Sequence, residues 1–97
     1  MHVEFIDDEP IYDGANLLVR FGARVDGKPA ECAITAEALE DHFGAHASQE
    51  DALLNAFRAH RRRIESLCVQ ALERSGATAV TLHSGFVRMI GLQEQHQ

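Results

Sequence analysis

No run of apolar residues in this chain approaches the roughly 18 that a membrane-crossing helix needs, so a helical membrane protein is excluded. The start, Met1-His2-Val3-Glu4, has neither the basic flank nor the apolar stretch of a secretory leader, and a cytoplasmic, unprocessed protein is expected. Proline occurs only at Pro10 and Pro29, and no stretch is repetitive or low in complexity. Nothing therefore reads as an interdomain linker. With 97 residues the expectation is one domain over 1–97, its ends 1–4 and 92–97 fraying. Cysteine is scarce too. Cys32 and Cys68 stand too far apart for a redox pair or a zinc knuckle. A reducing compartment would leave them as thiols, small residues of the core.

What is present is the composition of a folded globule, 45% hydrophobic and 25% charged. The net charge of -6 is unevenly spread. Residues 1–15 carry Glu4, Asp7, Asp8, Glu9 and Asp13 against no arginine or lysine, and residues 30–51 are purely acidic among their formal charges. Residues 52–76 reverse this, with five arginines against Glu65 and Glu73. An acidic whole repels nucleic acid at long range, while a local basic face can still bind it.

Asp26-Gly27 is the clearest local signal, because both residues tolerate the positive φ of a two-residue hairpin turn. Pairing Val25 with Lys28 puts Ala23 opposite Ala30, Phe21 opposite Cys32 and Val19 opposite Ile34, all on one apolar face. Arg20, Gly22, Arg24, Pro29, Glu31 and Ala33 fall on the other face, and a one-residue slip would bury the charges. His2 to Ile6 reads as a short first strand. Thr78–His83 and Phe86–Ile90 flank Ser84-Gly85 and read as a second hairpin, with Val80, Leu82, Val87 and Met89 on one face. The alternative there is one strand and an irregular tail.

Two helices are expected between the strands. The first runs from about Ala36 to Phe43, capped by Thr35 and stopped at Gly44. The second opens at Ser48, closes at Gly76, and carries a stripe of Leu53, Phe57, His60, Ile64, Leu67 and Ala71 at steps of four and three. As one rod it would be about 40 Å long. A globule of this size is roughly 33 Å across, so the rod must bend or offer an end to a second copy. The expected architecture is α+β: an antiparallel sheet of four or five strands with one short and one long helix on one face.

Two segments carry a resemblance: Cys32-Ala33-Ile34-Thr35-Ala36-Glu37-Ala38-Leu39-Glu40-Asp41-His42-Phe43-Gly44-Ala45, and Ala56-Phe57-Arg58-Ala59-His60-Arg61-Arg62-Arg63-Ile64-Glu65. With Val19-Arg20-Phe21 and Val25-Asp26-Gly27 before them, the chain resembles the small bacterial proteins of Domain of Unknown Function 1488, from about Phe5 to Val87. The resemblance implies a compact α+β protein and transfers no catalytic residue.

Arg58, Arg61, Arg62 and Arg63 form the densest basic cluster and the candidate contact for nucleic acid or another polyanion, since the guanidinium fork matches phosphate oxygens. The competing reading is a solvated helix whose arginines pair with Glu65, the first helix and the acidic N-terminus. His42 and His46 have metal-ligand spacing, but Gly44 falls between them, and no metal or other cofactor is expected. His60 sits in the apolar stripe and reads as a packed histidine rather than a catalyst. Ser84 follows His83 yet lacks the glycine of a nucleophile elbow. A site assembled from His60, His83 and a carboxylate is the weakest of three functional readings. The first is a noncatalytic binding or regulatory module acting on a protein partner or on a second copy of itself. The second is polyanion binding through the four arginines.

Overall fold

The computed structural model describes residues 1–6 and 8–95. Asp26 and Gly27 both take positive φ, 51° and 82°, and the turn they form joins β3 (Leu18–Val25) to β4 (Lys28–Thr35). Gly27 meets the second of these angles without a Cβ to clash. The register is the expected one throughout: Val25 pairs Lys28, Ala23 pairs Ala30, Phe21 pairs Cys32 and Val19 pairs Ile34. All six residues of the inner face between Val19 and Ile34 are buried, whereas Arg20, Arg24, Pro29 and Glu31 on the outer face are exposed.

β1 (Val3–Phe5) and β2 (Ile11–Asp13) lie end to end along the other edge of β3, both antiparallel to it. Of the ends expected to fray, Val3 and Glu4 pair with Val25 and Arg24, and residues 92–95 belong to the last helix, while residues 96 and 97 lie outside the described residues. β5 (Ala79–Leu82) completes the sheet beside β4, in the order β1-β3-β4-β5 with β2 also on β3. Its pairing with β4 is parallel, Cys32 with Val80 and Ile34 with Leu82, because the helices carry the chain back across the inner face before it re-enters the sheet.

α1 (Ala36–His42) is capped as expected, Thr35 Oγ1 accepting from the Ala38 amide at 3.0 Å. The single long helix is not found. It is divided into α2 (Glu50–Ala59) and α3 (Arg61–Ser75), with His60 between them at φ -121°, ψ 22°. Leu53, Leu54 and Phe57 of α2 are buried, and α2 packs against α1, β2 and β3. Ile64, Leu67, Cys68 and Leu72 of α3 are buried in the same core, and α3 packs against β5 at the opposite side of the sheet. One straight stripe cannot serve both ends of a twisted sheet within a molecule 35 Å in its longest direction, and the bend lets each half follow its own strands. Ser48 does not cap α2; its hydroxyl donates to Glu40, and Gln49 holds the N-cap position without a side-chain bond. Gly76 ends α3 in the left-handed conformation, φ 67°, where any side chain would be strained.

The second hairpin is also absent. Ser84-Gly85 opens α4 (Ser84–Gln95), whose Phe86 and Val87 amides donate to the His83 carbonyl at 3.1 and 3.2 Å. Val87 and Ile90, three apart, are buried, while Met89 is exposed: the period is helical.

Cys32 and Cys68 are joined as a disulfide, with Cα atoms 6.6 Å apart, in place of the expected pair of free thiols. Their distance in sequence hides the contact. The sheet carries Cys32 on its inner face directly beneath the stripe of α3 to which Cys68 belongs.

Candidate functional site

Between Phe5 and Ile11 the chain leaves the edge of β3. The Ile6 amide makes the last rung, to the Gly22 carbonyl at 3.2 Å, and the carbonyls of Ile6 and Asp8 then turn away from the ladder. Arg61, in the first turn of α3, supplies their donors: its Nη2 reaches Ile6 O at 2.9 Å and its Nη1 reaches Asp8 O at 3.0 Å. Its remaining Nε donates to Glu65 Oε2 at 3.1 Å, and the guanidinium carbon lies 5.5 Å from the centre of the Phe57 ring. Phe57 in turn packs against Phe21 of β3, ring centres 5.0 Å apart. Arg61 thus closes the gap between β1 and β2 and anchors it to the core.

The other three arginines differ in their surroundings. Arg58 Nη2 donates to Glu9 Oε2 at 2.9 Å in an open contact, the two side chains 49% and 82% exposed. Arg63 grips both carboxylate oxygens of Glu94 near the end of α4, and that guanidinium holds the Glu94 carboxyl below the usual glutamate range. Arg62 is exposed and, among the described residues, has no side-chain hydrogen bond or ion pair. The acidic N-terminal segment and Glu65 therefore do take up arginines, as the solvated-helix reading required. The first helix takes none of the four, and Glu94 takes a third. Nothing in the sequence marks Glu94, because it falls in residues 92–97, which read as a fraying end.

Residues 58–63, with Phe5, Ile6 and Glu65, line an open cavity of about 650 Å³ at the elbow of α2 and α3. His60 stands at its rim. The histidine is exposed rather than packed in the core, since the bend rotates it out of the stripe, and its ring leans on Phe43 at 5.4 Å between centres. The sequence thus placed four arginines together, and the structure keeps them together, but with Arg61 and Arg63 firmly engaged, Arg58 held in a solvent-exposed pair, and Arg62 alone without a partner among the described residues.

The histidine pair dissolves. α1 ends at His42, His46 lies exposed beyond it, and no group of metal-binding side chains forms among the described residues. His42 meets Ser84 instead, Nε2 lying 3.1 Å from both the Ser84 carbonyl and its Oγ. The Ser84 hydroxyl donates to Asp41 Oδ2 at 2.6 Å. Its one proton is directed at the carboxylate, so the trio clamps the end of α1 to the start of α4. Five open cavities of the surface are lined by other residues. His83 is exposed and lies outside both of the cavities that His60 lines at the elbow and beside Phe43.

A family model described as "Protein of unknown function (DUF1488)" matches residues 3–83. The chain belongs to the DUF1488 family. A crystal structure of a DUF1488 protein of unknown function from Shewanella loihica is similar in fold, with a TM-score of 0.72 at 18% identity, covering 82% of this chain and 90% of that one. No curated protein matches. The DUF1488 span contains both halves of the elbow and all four arginines, and it ends before α4, which brings Glu94 to Arg63.

Proposed function

We propose that this chain is a noncatalytic binding module that receives its partner in the arginine-lined groove at the α2–α3 elbow. One observation carries the reading: the groove is the concave surface onto which like-charged side chains converge, while the hydroxyl–imidazole–carboxylate trio at Ser84 joins two helices. Self-association through the helical stripe is not favoured, since Leu53, Phe57, Ile64 and Leu67 lie in the chain's own core.

Nucleic-acid or polyanion binding through Arg58, Arg61, Arg62 and Arg63 is the second reading. It needs a row of free cations, and three of the four already face carboxylates. Filter binding at low and moderate salt separates the two, because phosphate contacts along a strand weaken steeply as salt rises.

A photo-crosslinking residue at Ala59, inside the groove, is the direct test, with the same residue at Glu31 on the outer sheet face as control. The expected result in native lysate is one discrete adduct from position 59 and none from position 31. Equal labelling from both positions, or no adduct from either, overturns the proposal.

A further inference from the structure

We infer that the elbow holds one phosphate monoester group, gripped between Arg58 and Arg62. The inference rests on the reading of the groove as a binding surface and names the chemistry of what it binds. It follows from the unequal state of the four guanidinium groups. Arg61 is engaged at Nε, Nη1 and Nη2, and Arg63 at both terminal nitrogens. Neither has a fork to offer. Arg58 and Arg62 stand four positions apart on either side of the bend at His60, both exposed and both lining the same cavity.

One open fork, Arg62, and one held only by an exposed carboxylate, Arg58, suit one dianion in a shared concavity. A guanidinium presents parallel donors at the spacing of phosphate oxygens, and two of them match the double charge of a monoester. A diester carries a single charge and leaves one arginine unmatched. The cavity, about 650 Å³, lies within the range of small-ligand sites. Phe5 and Ile6 supply its apolar wall, against which the remainder of a small molecule can lie.

Glu9 is the resident competitor. Its carboxylate occupies Arg58 at 2.9 Å, yet its side chain is 82% exposed. Displacing such a solvent-screened pair weakens ligand binding by less than about tenfold. Glu65, the carboxylate that lines the groove itself, is held by Arg61 and does not compete for Arg58 or Arg62.

The test titrates the full chain with inorganic phosphate at constant ionic strength, following backbone amide resonances. The expected result is a saturating shift centred on residues 58–63. Arg62→Gln, an exposed position whose replacement leaves the remaining spectrum unchanged, weakens it by roughly tenfold or more. Glu9→Gln strengthens it several-fold by freeing Arg58. A shift that does not saturate, one centred elsewhere, or wild-type affinity in Arg62→Gln overturns the inference. An oligonucleotide lacking terminal phosphate, binding as tightly as phosphate per site, also overturns it. If phosphate fails while the adduct at position 59 still forms, the phosphate assignment falls alone; if both fail, the binding groove falls with it.

Discussion

Arg61 donates to the Ile6 carbonyl from 55 residues away, at 2.9 Å, and this bond ties the bend between two helices to the break between two strands. The same guanidinium reaches Asp8 O, so two carbonyls that have left the β3 ladder depend on one side chain. Arg61→Ala removes both donors and the Glu65 pair, and is expected to destabilise the chain by about 2–3 kcal/mol. Arg61→Lys, with a single ammonium in place of the fork, recovers only part of that loss. Arg62→Ala, one residue on, stays within about 0.5 kcal/mol of wild type. Urea denaturation of the three variants checks the ranking, and equal stability of the Arg61 and Arg62 variants would remove the structural role given to Arg61.

The hairpin of β3 and β4 was legible because two signals agree there: turn residues with the right conformational freedom, and alternation that separates Val19, Phe21 and Ala23 from Arg20 and Arg24. α4 was misread because Val80, Leu82, Val87 and Met89 fit an alternating pattern across Ser84-Gly85. The steps from Phe86 and Val87 to Ile90 fit a helix equally well, and a short apolar stretch does not decide between the two periods. The bend at His60 left no trace in the stripe, since both sides keep the same spacing; only the overlong rod hinted at it. The arginine cluster was visible, but its division into committed and open members depends on the Ile6 and Asp8 carbonyls and on Glu94, contacts made across the fold.

Asp13 gives a pH signature. Its carboxylate accepts from the side chain of Asn16 at 2.9 Å, then from Arg20 at 2.8 Å and the Asn16 amide at 3.1 Å, and these bonds lower its pKa to about 2. A carboxyl that ionises more readily when folded stabilises the fold above its unfolded value, near 3.8, and that contribution is lost as pH falls from there toward about 2. Glu94, lowered by Arg63, acts in the same direction. Asp13→Asn is therefore expected to lower the urea midpoint at neutral pH and to flatten its fall through that acid window. A midpoint that falls as steeply in Asp13→Asn as in wild type would contradict the assignment.

Ser84 is expected to behave as a clamp. Ser84→Ala removes the hydroxyl that donates to Asp41, at a cost of about 1 kcal/mol, and leaves the His42 contact with the Ser84 carbonyl in place. Hydrogen exchange should quicken in the last turn of α1 and the first turn of α4, with no change at residues 58–63. Loss of binding in the groove, with stability unchanged, would assign Ser84 a role beyond the clamp.

The Cys32–Cys68 bond closes a long loop, its ends 36 positions apart in sequence, and spans from the sheet to α3 through a core in which both residues are at most 1% exposed. Restricting the unfolded chain in this way is worth about 3–4 kcal/mol in the loop-entropy account. Burial also protects the bond, because exchange requires a thiolate to reach one of the two sulfurs. The oxidised protein is therefore expected to keep its bond in mild reductant while folded and to lose it on unfolding in urea, with a lower urea midpoint afterwards. Alkylation of free thiols under native and denaturing conditions, read by mass, measures this directly. The same labelling in intact cells reports the compartment, since a reducing cytoplasm leaves thiols and an oxidising one the bond. Rapid reduction of the folded protein, or identical midpoints for the two forms, would show that this contact does not hold β4 to α3.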